Sequence, residues 1–373
     1  MRGRNGWRLA GRVGICVVLL GWAFHTIFLH EGRLEWARRG GDWATLGRSA
    51  QWQFAWAFGP SALLRTVSLI RPFEGALSLV FMGATLFLGA LRWHLVLRAH
   101  HLSVAFGRTL EISLVSHFFN AFLLGSTGGD LMKAYYVSGE TASRKAESVI
   151  SVFVDRLLGL LSMLLFAAAM MVPNLALLRG SPRLGMLALV ALGMLAGLLA
   201  VGGLSFRAGL SRLWPGARDW LRRLPKGESL DRALEAMRHF GRQGTLLAQT
   251  VGLSMLLNLA CVLQIWALAR GLGLEVPFRA LAVLVPIIIC VAALPITPSG
   301  LGVRENLYVW TLSVPALAVP ATAALSLSLL AFAGFLVWSL VGGAFYLRFR
   351  RARAHVGTGR ARPEPEAGVG VPE

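Results

Sequence analysis

The chain has 373 residues, 55% hydrophobic and only 15% charged, with a formal net charge of +19. Its apolar residues are gathered into long blocks rather than spread at amphipathic spacing, which excludes a soluble globular enzyme and describes an all-α, polytopic helical membrane protein. The basic excess flanks those blocks, so it reads as a positive-inside signal with attraction to anionic headgroups rather than as a nucleic-acid surface.

In chain order, Arg2, Arg4, Arg8 and Arg12 precede an apolar run at 13–29, which reads as a first uncleaved span with its amino end in the cytoplasm. Residues 31–73 scatter Trp36, Trp43, Trp52 and Trp56 among charges. Such a stretch either lies along the membrane surface or forms an outer loop with an aromatic cluster. The run 75–91 is a second span, and Arg92, Arg98 and Arg108 mark its return to the cytoplasm. A shorter run, 112–125, contains His117 and Asn120 and stops at the glycine-rich GSTGGD, with Lys133, Arg144 and Lys145 beyond it. Runs at 149–172 and 184–204 span again, joined by a short loop through Pro173, Asn174, Arg179 and Arg183. Residues 205–245 carry more than twice as many basic as acidic residues and belong in the cytoplasm.

That last assignment constrains topology. If all five runs up to 204 crossed, the most basic loop would lie outside, so one run does not cross. The 112–125 run covers roughly 21 Å at helical rise, against a hydrocarbon core of about 30 Å, and is expected to re-enter from the cytoplasmic side. Downstream, 246–269 spans, and two half-length pieces, 281–294 and 307–315, flank LPITPSGLGVRE as a second re-entrant segment entered from outside. A last span at 320–347 leads to a tail, 348–373, that is basic and then rich in Pro, Gly and Glu, and is expected to be disordered in the cytoplasm. The expected architecture is one membrane domain, 1–347, in a cell (inner or plasma) membrane, with about six full spans, two broken segments and both termini cytoplasmic. Broken segments entering from opposite faces match the inverted repeats of secondary transporters, although no residue-level repeat is visible.

The two breaks carry the chemistry. Thr127 and Asp130 have capping-box spacing, so a helix starts there. Its free N–H groups with Lys133 either form an anion site or are an ordinary capped turn. Asp155 and Arg156 lie about 100° apart on one helix and look for partners elsewhere, with Arg304, Glu305 and Glu111 as candidates. Those pairs either fix packing or line a site. His117 and Asn120 share a helix face toward protein or a wet cavity, where a histidine is more often a packing residue than a proton relay. In the second break Pro295 and Pro298 stop helix, while Gly300 and Gly302 permit left-handed turns. GSTGGDLMK lacks the spacing of a nucleotide-binding loop. The cysteines, Cys16, Cys261 and Cys290, stand in apolar runs without metal spacing, and no catalytic constellation, cofactor site or metal site is indicated.

These two motifs carry a family resemblance. The stretch from Asn120 through the Gly-rich turn to Asp155-Arg156, and the Pro-x-x-Pro-x-Gly-x-Gly-x-x-Glu element ending at Glu305, resemble the lysylphosphatidylglycerol synthase transmembrane-region family, also called flippase-like-domain membrane proteins. The resemblance extends over about 75–347. Asn120, Gly128, Gly129, Asp130, Lys133, Asp155, Arg156, Pro298, Gly300, Gly302, Arg304 and Glu305 match it and are the expected substrate-binding residues. It implies a helical membrane domain that binds a phospholipid or polyprenyl-linked headgroup and passes it across the bilayer. The soluble aminoacyl-transferase part of full synthases has no counterpart here, so lysyl transfer is not expected. The alternatives are a lipid-linked group or glycosyl transferase and a non-transporting scaffold for a lipid-biosynthesis enzyme.

Overall fold

A computed structural model of the chain describes residues 25, 28–29, 32–33, 35–122, 127–141, 144–206, 244–294 and 300–358. Most of the expected first span, residues 207–243 of the basic loop, Pro295, Pro298, Cys16 and the tail after 358 lie outside the described residues. Among the described residues there are eleven α-helices: α1 (Arg48–Ser68), α2 (Pro72–Ala99), α3 (Phe106–Phe122), α4 (Thr127–Glu140), α5 (Lys145–Met171), α6 (Leu175–Arg179), α7 (Pro182–Phe206), α8 (Gly244–Gly271), α9 (Phe278–Ala292), α10 (Val303–Leu312) and α11 (Ala321–Thr358). Five of the described helices, α2, α5, α7, α8 and α11, are long and apolar enough to cross a membrane.

Several expectations change at this point. The region 31–73 is not a plain loop, because it contains the 21-residue α1, which packs on α11. Ala55 and Leu325 share a buried cluster there. The second span does not end at 91. Helix α2 runs on to Ala99, with Arg92 buried inside it. The join after α5 is a 3-10 turn, Val172–Asn174, followed by the one-turn α6. The last span continues as helix through Thr358, into the first part of the tail expected to be disordered.

Both broken segments form helical hairpins. Helices α3 and α4 have 17 and 14 residues, and α9 and α10 have 15 and 10, each shorter than the roughly 20 residues of a typical crossing. Each hairpin follows a 28-residue helix, α2 or α8, and precedes another long one, α5 or α11. The packing repeats as well. Helix α3 lies on α11 and α9 on α5, α4 lies on α5 and α10 on α11, and α2 packs against α8 between the halves. Even the flanking helices correspond, with α1 on α11 and α7 on α5. The repeat that residue identity conceals is therefore present in the fold.

The repeat is inverted. The Arg71 N–H donates to the Gly271 carbonyl at 3.0 Å, joining the start of α2 to the end of α8. Further along, Gly89 faces Leu257, and the Arg92 guanidinium reaches Ser254 Oγ at 3.3 Å. Helices α2 and α8 are thus antiparallel, and hairpins that begin just past their C-terminal ends enter from opposite faces. Small residues permit close crossings elsewhere, as in other membrane helix pairs. A Cβ at Gly342 of α11 would sit on the Leu114 carbonyl of α3.

Two exposed linker positions, Ser103 before α3 and Glu275 before α9, read this arrangement directly. With all three cysteines replaced by alanine, Ser103→Cys and Glu275→Cys should each react with an impermeant maleimide from one face only, and from opposite faces. Reaction of both from the same face would contradict the antiparallel pair.

Candidate functional site

The first hairpin is tied at its tip by glycine and asparagine. Gly129 N–H donates to Asn120 Oδ1 at 2.9 Å, and a Cβ at Gly129 would overlap the Ser116 carbonyl and the Asn120 side chain. Only glycine lets α4 start this close to α3. Gly128 and Gly129 are both buried in that crossing. Helix α4 begins at Thr127, as the sequence indicates, and Asp130 and Lys133 then project from its first turns.

Behind the tip lies a buried charge cluster. Asp155 of α5 accepts from Arg92 Nε of α2 at 2.9 Å through Oδ1, and from Lys133 Nζ of α4 at 3.1 Å through Oδ2. Arg92 also reaches the Asp155 carbonyl at 3.4 Å. All three side chains are about nine-tenths buried. A carboxylate in hydrocarbon is tolerable only when its charge is matched and its lone pairs are used, and here two cations on two helices do both. The Lys133 ammonium also sits 4.0 Å from the centre of the Trp93 ring, a favourable cation–π placement. The Trp93 indole in turn donates to Ser151 Oγ at 3.4 Å.

A second, looser pair faces the opening. Arg156 Nε lies 3.6 Å from Asp130 Oδ2, with side chains 43% and 28% exposed. Asp155 and Arg156 thus do find partners on other helices. The partners are Arg92, Lys133 and Asp130, not the expected Arg304 and Glu305, while Glu111 pairs with Arg108 at 2.9 Å.

The described cavity between the helices has a volume of about 360 Å³. Arg92, Lys133, Arg156, Asp130, Asp155, Asn120 and His117 form its polar side, and Leu86, Leu160, Met163, Leu257 and Ile289 its apolar side. Its walls come from α2, α3, α4, α5, α7, α8 and the end of α9. Three Lys or Arg side chains therefore face two carboxylates, leaving an excess of positive charge suited to an anionic group. Lys133 belongs to this wall and not to a cytoplasmic surface. His117 is held by the Phe335 carbonyl at 3.2 Å and stacks edge-on to that ring, so packing accounts for it.

The second break forms a separate polar centre. Gly300 and Gly302 have positive φ angles of 69° and 82°, which favour glycine. Glu305, fully buried, accepts from Gly302 N–H at 2.6 Å and from Arg304 at 2.5 Å, and Ser328 of α11 donates to it at 3.3 Å. Arg304 also bonds Ser328 and lies 5.1 Å from the Phe332 ring centre. Adjacent residues pair here because Arg304 folds back over the helix start. Pro298 lies outside the described residues.

Arg92, Trp93, Ser254 and Asn258 belong to the site and were not legible as members. Arg92 carried one unused signal. The apolar run resumes after it with Trp93, Leu95, Val96 and Leu97, so the helix could not have ended there.

A family model described as the lysylphosphatidylglycerol synthase TM region matches residues 46–342. The chain belongs to that family, and it is a multi-pass membrane protein of a family associated with lipid handling. No curated protein matches the chain.

The cluster geometry separates two kinds of substitution. Asp155→Ala leaves Arg92 and Lys133 buried without a counter-charge and should destabilise by about 3–5 kcal/mol. Arg156→Ala removes a half-exposed pair and should cost about 1 kcal/mol or less. Thermal unfolding in detergent measures both, and equal midpoints for the two variants would contradict the assignment.

Proposed function

We propose that this member of the lysylphosphatidylglycerol synthase transmembrane-region family binds the charged headgroup of a phospholipid or polyprenyl-linked lipid in the cavity between its hairpins and passes it across the bilayer. The observation that carries the reading is the cavity itself: a charge-lined hollow of about 360 Å³ among spanning helices, with cations in excess and one wall apolar. Polar space of that kind is costly inside a membrane and serves a polar passenger.

Each part has a role in this reading. Arg156 and Asp130, partly exposed, meet the headgroup first. Lys133, held in place by Asp155 and Trp93, supplies charge-assisted hydrogen bonds to a phosphate oxygen. Arg92 holds Asp155 in place through its Nε hydrogen bond. The apolar wall of Leu160, Met163 and Leu257 lies against the carbon chain nearest the head. The arginine-rich 205–245 segment favours the cytoplasm for the face where α2 ends and α8 begins, so the first hairpin enters from the cytoplasm.

In proteoliposomes carrying a labelled phospholipid or polyprenyl phosphate, the protein should speed exchange between leaflets. Lys133→Ala and Arg156→Ala should each slow it by about tenfold or more, the worth of one charge-assisted hydrogen bond. Exchange equal to that of protein-free vesicles would overturn the reading. A new covalent product from a soluble donor would identify a transferase instead.

A further inference from the structure

A second polar hollow lies apart from the central cavity, where α2 turns into the first hairpin. It has a volume of about 520 Å³ and is lined by His94, Arg98, His101 and residues 102–105, none of which lines the central cavity. None of the lining residues described is acidic. The acids at this end of the hairpin, Glu111 and Glu140, are both taken by Arg108, at 2.9 and 2.7 Å. Arg98 is exposed and has no ion-pair partner among the described residues. Arg144 reaches the His100 carbonyl at 3.4 Å and brings a further cation to the linker.

The turn itself carries an uncommon residue. Helix α2 ends in a Schellman motif, in which Leu102 N–H donates to the Leu97 carbonyl at 3.0 Å and His101 N–H to the Arg98 carbonyl at 2.9 Å. Leu97 and Leu102 share one buried cluster beneath it. The left-handed residue of such a motif is ordinarily glycine, yet here it is His101, with φ of 55°. A helix end favours a cation at Arg98, but capping gives no reason for an imidazole at the left-handed position. His94 is held as well. Its Nδ1 lies 3.5 Å from Thr109 Oγ1, and its ring meets Phe106 edge-on at 5.6 Å.

We infer that this hollow is a second binding site, for a phosphate group, with Arg98 supplying fixed positive charge and His94 and His101 supplying imidazole donors. A phosphate offers several acceptor oxygens around one charge, and a guanidinium with two imidazoles on the walls of one hollow meets them from different sides. The source close at hand is the cytoplasmic leaflet. Helix α2 ends on the face assigned to the cytoplasm, and basic pockets between helices on that side take anionic headgroups. A phosphate bound there bridges the end of α2 and the linker 100–105 that leads into α3, and so steadies the base of the hairpin. Nothing in this site depends on translocation through the central cavity.

The full chain in a neutral detergent is titrated with phosphatidylglycerol and its bound lipids are counted by native mass spectrometry, while equilibrium dialysis against radiolabelled inorganic phosphate measures the soluble anion. His101→Gly suits the left-handed position and keeps the fold, and Arg98→Ala removes an exposed side chain. Each should weaken one bound phosphatidylglycerol by about tenfold, the worth of one charge-assisted hydrogen bond, and leave in place the cavity lipid that Lys133→Ala removes. Binding of inorganic phosphate without lipid, weakened by the same two substitutions, keeps the site and makes its ligand a soluble phosphate. Equal binding of both probes by the unsubstituted chain and the two variants, with unfolding midpoints unchanged, overturns the inference. Lipid binding that responds to Arg98→Ala but not to Lys133→Ala keeps this site and counts against the headgroup reading of the central cavity.

Discussion

The arrangement depends on one carboxylate. Asp155 is buried in a region where an unpaired charge would cost several kcal/mol, so the structure must bring cations to it. Arg92 arrives from α2 and Lys133 from α4, and Arg92 extends to Ser254 on α8. Four helices are thereby placed around a single group. The first hairpin needs this most, because its helices, of 17 and 14 residues, are both short. Its tip is held at one end by Gly129 on Asn120 and at the other by Lys133 on Asp155.

The same electrostatic demand explains why the second half looks different although it is built alike. Its hairpin also ends at a buried acid near a helix start, but Glu305 satisfies itself locally from Gly302, Arg304 and Ser328. The first half spreads its charges over three helices and leaves a hollow, whereas the second collects its charges into a closed knot. Between the halves the contacts are largely apolar helix packing, with α2 on α8, α3 on α11 and α9 on α5. Such packing is non-directional, so the polar clusters decide where space opens.

The parts legible in the sequence are those with a local physical cause. Membrane length and apolar runs identify spans, and short runs broken by Gly and Pro identify the hairpins, since neither signal needs a partner. Asp155 and Arg156 stand out because charge in an apolar helix is expensive wherever the helix goes. Arg92 resembles a membrane-edge anchor because it ends an apolar run, and the one sequence signal against that is the apolar stretch that resumes at Trp93. Arg304, Glu305 and Glu111 are candidate partners for Asp155 and Arg156 on charge complementarity alone, which carries no information on distance.

Composition and patterning alone determined the all-helical membrane class, the two interrupted segments and the residues at their tips, because hydrophobicity and backbone propensity act over a few turns of chain. Tertiary structure alone decided the pairing of α2 with α8, the inverted repeat it creates, and the grouping of Arg92 and Lys133 around Asp155 while Arg304 and Glu305 turned inward. Those outcomes join residues as far apart as Arg92 and Ser254, and only the packing of whole helices sets which charges come within reach of one another.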